Sequence, residues 1–152
     1  MTLPAAPAFA PLDPAFEARC RASFGRQKAM DLIGGRLERL EPGLAEVVLP
    51  FRDDLTQQKG FVHGGIVGMI ADSACGYAAY SLMPATSSLV TVEYKINILK
   101  PAVGALLARG RVIRAGKSLT VTVADVYGDN GAHVAVMQQT LMMLPDTPDT
   151  PE

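Results

Sequence analysis

The sequence predicts an α+β domain in which an antiparallel sheet of five or six strands wraps around one long central helix. Three observations predict it. Residues 66–82 form a long run of small and apolar residues that opens at His63-Gly64-Gly65. A helix apolar on nearly every side needs cover on nearly every side, and a curved sheet supplies it. Four segments after that run, about 88–99, 104–114, 118–128 and 132–143, read as strands joined by short connections, and a hairpin signal precedes it.

The elements follow in order. Met1–Pro14, rich in proline and alanine, is expected as a flexible N-terminal segment. After the Asp13-Pro14 start signal, Phe16, Cys20, Phe24 and Ala29 recur at helical spacing, so one short amphipathic helix is expected from Ala15 to about Met30. Gly34-Gly35 ends it. Residues 36–40 and 44–51 alternate around Glu41-Pro42-Gly43, with Ala45, Val47 and Leu49 on one face of a hairpin. Residues 52–63 lack periodicity and read as a loop into the long helix, which Pro84 stops. In the next segment Val92, Tyr94, Ile96 and Ile98 alternate with Thr91, Glu93, Lys95 and Asn97, the period of a strand with two unlike faces. Pro101 with Gly104, Gly116-Lys117 and Gly128-Asp129-Asn130-Gly131 make the three connections, and their shortness predicts neighbouring strands. Apolar residues of the later strands, Val121, Val123, Ala124 and Val126, fall on both faces, so the outer side of the sheet is expected to be covered by further copies of the chain. Residues 15–144 make a single domain, and 145–152, with three prolines and several acids, are expected as a disordered tail.

Composition excludes several classes of function. A chain of 152 residues is one domain with room for a real core. A net charge of −1, with no basic run, argues against a nucleic-acid partner. Glycines and Asp72 interrupt the longest apolar run and the N-terminus lacks a positively charged start, so no membrane association is expected and the cytoplasm is the expected location. Cys20 and Cys75 stand at no metal-ligand spacing and read as small packed residues, and neither histidine has a partner that would make a metal site.

One residue does not fit its surroundings. Asp72 lies inside the apolar run, and its i±3 and i±4 neighbours are Gly68, Met69, Cys75 and Gly76, so no helical ion pair holds it. The helix has begun before it, which excludes an N-cap, and no other charge marks a solvated face. What remains is a partly buried carboxylate, held by a structural hydrogen bond or serving a reaction.

His63-Gly64-Gly65, Ala71-Asp72-Ser73-Ala74, Val90 to Asn97 and Leu99-Lys100-Pro101-Ala102 together resemble the successive motifs of the PaaI-type acyl-CoA thioesterases, over about residues 30–144. The resemblance implies a hotdog fold, dimers paired into tetramers, and hydrolysis of the thioester of acyl-coenzyme A, without a cofactor beyond the coenzyme A of the substrate. It implies that Asp72 attacks or deprotonates water, with general base favoured, and that the Gly64 N–H receives the carbonyl oxygen. It makes Thr91 a holder of the attacking water, and His63 a donor to the carbonyl or a brace of the loop. Gln57 stands where many relatives have asparagine, a role Gln58 could take over. Lys100, Arg114, Lys117 and Ser118 are candidates for the nucleotide end of coenzyme A, and Gly65, Phe61, Tyr77 and Met83 for the acyl side. The family accepts aryl-acetyl, benzoyl and medium-chain acyl groups. A hotdog dehydratase and a non-catalytic acyl-CoA-binding domain are the alternatives.

Gly64 and Asp72 also chemically fit these roles: a carboxylate can activate water, and a glycine N–H at a helix start can approach an oxyanion closely. Eight positions along one helix put them ~12 Å apart, too far to serve one carbonyl. The spacing therefore predicts that Gly64 of one subunit works with Asp72 of another.

Overall fold

A computed structural model of the protein describes residues 8–149. Its elements are α1 (Phe16–Phe24), α2 (Lys28–Ile33), β1 (Arg36–Glu41), β2 (Leu44–Leu49), a single 3-10 turn (Asp53–Leu55), α3 (Gly64–Tyr80), β3 (Ser88–Ile98), β4 (Leu106–Ala115), β5 (Leu119–Gly128) and β6 (His133–Leu144). The six strands form one antiparallel sheet in the order β1-β2-β4-β5-β6-β3, packed around α3.

The expected amphipathic helix is two helices. The break falls at Gly25, whose N–H bonds back to Arg21, and α2 restarts after Gln27. Gly34 then closes α2 at φ 78°, a left-handed cap that glycine adopts without cost. The hairpin forms as expected: Gly43 follows Pro42 with φ 79°, the type II arrangement, and Ala45, Val47 and Leu49 all face the core.

A second correction concerns β3 and β4. Their short connection predicts neighbours, but β3 pairs with β6 at one edge of the sheet and β4 pairs with β2 and β5. The linking residues cross the sheet end instead of turning back. Leu99 N–H bonds Val134 of β6, Ala102 carbonyl accepts from Val62 just before α3, and Ala105 carbonyl accepts from Asp129 beside β5. These bonds, with that from Ala105 N–H to the Asp129 side chain, tie the seven-residue crossing down at its start, middle and end.

Both chain ends make contacts with the rest of the domain where they are described. Residues 1–7 and 150–152 lie outside the described residues. Phe9 packs partly buried against the core, and Asp13 caps Ala15 N–H while pairing with Arg19, whose guanidinium donates to the Met83 carbonyl and lies over the Tyr80 ring. The hydrogen bond from Arg19 holds the Asp13 carboxyl below the usual range. At the other end, Asp149 accepts from Ser23 and Arg26 rather than standing free.

The core is α3 seated on the sheet. Val67, Ile70, Ala71, Ala74, Cys75 and Ala78 are buried, and small residues let the helix lie close to β4. The closest approach is at Gly110, where an added Cβ would stand 2.3 Å from the Ala74 carbonyl carbon. That neighbour is backbone and cannot rotate away. Gly110→Ala is therefore expected to cost about 3 kcal/mol or more. Thermal unfolding should show a Tm lower by roughly 10 °C.

In the last strands the alternation is regular after all: Thr120, Thr122, Ala124 and Val126 are buried under α3, while Val121, Val123, Asp125 and Tyr127 are half-exposed on the outer face. One side of the molecule is left uncovered. Ile66, Met69, Asp72 and Gly76 form a half-exposed stripe along α3, and the edge strand β3 exposes Val90, Val92, Tyr94 and Ile98.

Candidate active site

Asp72 projects from the middle of α3 and is half-buried. Its Oδ1 accepts from Thr91 Oγ1 of β3 at 2.9 Å and from Gln139 Nε2 of β6 at 2.5 Å, and Gln139 also donates to Thr91 Oγ1 at 2.8 Å. The three side chains close a ring of hydrogen bonds. Thr91 spends its single proton on the carboxylate, so it meets any further group as an acceptor. Among the described residues Oδ2 has no hydrogen-bond partner, which leaves its lone pairs for chemistry.

Beside this ring lies a cavity of about 180 Å³ lined by Asp72, Ser73, Gly76, Tyr77 and Tyr80 of α3, Leu89 and Thr91 of β3, Ser23 and Gln27, with Asp149 at its rim. Tyr77, expected on the acyl side, is here: its hydroxyl meets Ser23 Oγ at 3.0 Å and Gln27 Nε2 at 3.2 Å. Burial pushes the Tyr77 phenol up to about 12, so it stays a neutral wall and not a base. Met83 is core, 4% exposed.

The start of α3 makes a second, separate cavity. Gln57, Phe61, Val62, Gly64, Val67 and residues 98–102 line it, Lys100 among them. His63 is the N-cap of α3, and its Nδ1 accepts from Gly65 N–H at 3.0 Å. A neutral imidazole that accepts at Nδ1 carries its proton on Nε2, so His63 keeps an outward donor. Gly65 N–H is thereby spent, whereas no bond is formed by Gly64 N–H among the described residues. The positive end of the helix stands behind that free donor. Gln57 uses its Oε1 to accept from Lys59 N–H at 2.6 Å, leaving its amide nitrogen as the group on offer, and Gln58 is exposed.

The residues singled out in the sequence thus divide between two cavities. Gly64, Gln57, Phe61 and Lys100 line one cavity, with His63 and Gly65 at its helix end; Asp72, Thr91 and Tyr77 line the other. Arg114, Lys117 and Ser118 are exposed around the β4–β5 turn, where Leu119 and Thr120 lie level with Met142 and Leu141, the partners of Val90 and Thr91. They therefore belong to the Asp72 end of the sheet, opposite Lys100. Gln139 escaped the sequence reading. A signal was present: Ala135, Met137 and Leu141 are the inward residues of β6, and Gln139 continues their period-two register into the core. Among the described residues no group of three His, Cys, Asp or Glu side chains is arranged to hold a metal ion. Nor is any of their helices long and apolar enough to cross a membrane.

Comparison with known proteins bears on this geometry. The family model described as the thioesterase superfamily matches residues 59–135, which include Gly64, Asp72 and Thr91 but not Gln57 or Gln139. A protein of Saccharolobus solfataricus whose name presumes an esterase is 36% identical over 106 residues, 69% of this chain and 70% of its own. The crystal structure of a thioesterase family protein from Silicibacter pomeroyi superposes with TM-score 0.83 at 42% identity, covering 86% of this chain and 98% of the other. The PaaI protein of the phenylacetic acid degradation operon of E. coli shares the fold, with TM-score 0.81 at 20% identity over 88% of this chain and 96% of its own. A six-stranded antiparallel sheet around one central helix is the hotdog fold that these structures have in common.

Proposed function

The chain belongs to the thioesterase superfamily, and from that premise we propose that it hydrolyses the thioester of acyl-coenzyme A to a free acid and coenzyme A, at sites shared between two copies of the chain. The observation that carries the reading is the Asp72 carboxylate, held through Oδ1 by Thr91 and Gln139 with Oδ2 unbonded at the wall of a cavity. In the reaction Oδ2 takes a proton from water, the water oxygen bonds the carbonyl carbon, and the thiolate leaves with that proton. Direct attack by Oδ2, followed by hydrolysis of the anhydride, would use the same placement.

Charge on the carbonyl oxygen needs a donor, and the free Gly64 N–H suits it. Within one chain it stands ~12 Å along α3 from Asp72. Edge strand β3 supports a way to bring them together. Thr91 beside Asp72 and Ile98 beside Gly64 lie near its two ends. Antiparallel pairing of β3 with its copy about a two-fold axis between them would set each Asp72 against the other subunit's Gly64. The same pairing would cover Val92, Tyr94 and the open stripe of α3, and would bring Lys100 towards the Lys117 turn, as the phosphates of coenzyme A require. Pairing of such dimers into a tetramer over the half-apolar outer face of the sheet extends the reading.

For the acyl group, the cavity beside Asp72 measures about 180 Å³, and roughly 150 Å³ suffices for a benzene ring. Aryl-acetyl, benzoyl and medium-chain acyl groups are the candidates. A panel of phenylacetyl-, benzoyl- and hexanoyl-CoA with a chromogenic thiol reagent tests the reading, and release of coenzyme A from at least one is the expected result. The protein itself adds little background, because Cys20 and Cys75 are fully buried and burial pushes both thiols up to about 12. Tight binding without thiol release would point to a binding domain. Loss of water from a hydroxyacyl-CoA with no thiol released would point to a dehydratase.

A further inference from the structure

Resting on that hydrolase reading, we propose that Gln139 is the positioning residue of the Asp72 carboxylate, its amide hydrogens directed one to Asp72 and one to Thr91. The geometry leaves little choice of orientation. Gln139 Nε2 stands 2.5 Å from Asp72 Oδ1 and 2.8 Å from Thr91 Oγ1. With the amide reversed, its oxygen would face an ionised carboxylate oxygen that has nothing to donate. The carboxylate therefore selects the orientation with nitrogen towards it.

That orientation is costly elsewhere, and the cost points to function. Gln139 is 0% exposed, and its Oε1 is buried without a hydrogen-bond partner among the described residues. An orphaned acceptor in a core disfavours folding, and an apolar residue in the same inward register of β6 would remove the penalty. Met137 and Leu141, the inward neighbours on either side, show that the register accepts apolar side chains of that size. What the glutamine adds is control of the carboxylate. Two donors saturate Oδ1, so the carboxyl plane is fixed and Oδ2 becomes the oxygen presented to the cavity. Thr91 is fixed with it, its proton directed to Asp72 by the hydrogen it receives from Gln139. No residue on α3 does this, since both restraints come from the sheet.

The test uses the intact protein and the acyl-CoA that the wild type hydrolyses best. Gln139→Met matches the length and lacks both donors; Gln139→Glu keeps the shape and substitutes acceptors. In both, kcat is expected to fall roughly 10- to 100-fold with KM held within about twofold. The Tm of Gln139→Met should equal or exceed that of the wild type. A kcat near the wild-type value in both variants, or a fall in kcat that follows a lowered Tm, overturns the proposal. Wild type and Asp72→Asn are measured beside them. A wild type without turnover, or an Asp72→Asn enzyme as fast as it, removes the hydrolase reading and this proposal together. Normal behaviour of those two with Gln139 variants unimpaired removes the positioning role alone.

Discussion

Asp72→Asn is expected to lower kcat for acyl-CoA hydrolysis roughly 10²- to 10⁴-fold while the protein folds and assembles as before. Asparagine keeps the shape of aspartate, and its carbonyl oxygen can still accept from Thr91 Oγ1 and Gln139 Nε2, the two partners of Oδ1. The change falls on the other arm of the side chain, where an NH₂ replaces the oxygen that takes the proton. No internal bond is lost with it, which is why activity and stability should part company. Thermal unfolding and size-exclusion elution alongside the rate measurement check this. Turnover close to wild type in a folded variant would remove Asp72 from the chemistry.

The second large effect concerns Gly64, whose N–H can be deleted with almost no other change. Gly64 is the first residue of α3, a position where proline is favoured, and His63 before it has φ −59° and ψ 136°, a conformation that a following proline accepts. Gly64→Pro should therefore keep the helix and lose only the donor, for a fall in kcat of roughly 10²- to 10³-fold. Alone, this variant and Asp72→Asn should each keep no more than about 1% of wild-type activity. Mixed, unfolded and refolded together in equal amounts, they should recover about a quarter of wild-type activity. Half of the dimers then pair one of each, and each such pair holds one intact site of two. Recovery confined to the sum of the separate variants would show that each chain works with its own groups.

How much of this was readable beforehand depends on how local the signal is. The hairpin around Pro42-Gly43 and the length of α3 are local, and they stand in the structure within a few residues of the expectation. The alternation in β3, by contrast, is interrupted by a register shift between Thr91 and Glu93 that puts Thr91 on the same face as Tyr94 and Ile96. The oddity of Asp72 was also local, because its helical neighbours are fixed by spacing. Which strand lies beside which is not. The connection after β3 is short enough for a turn, and only the bonds from Leu99 to Val134 and from Val62 to Ala102 reveal a crossing. Gln139 was hidden by its neighbour: Gln138-Gln139 puts an amide on each face of β6, and the inward one is distinguished only by the company of Met137 and Leu141. The break at Gly25 went unread because apolar residues at helical spacing run across it on both sides.

The bond from Val62 N–H to the Ala102 carbonyl joins the main chain just ahead of α3 to the main chain of the crossing segment. No side chain takes part in it. The place of the Gly64 N–H, the proposed oxyanion donor, is consequently set in part by peptide groups, with the His63 side chain capping the same helix end. Phe61 lines the cavity beside that corner and its side chain takes no part in the bond, so exchanging it is expected to shift the acyl preference of the proposed hydrolase more than its best kcat.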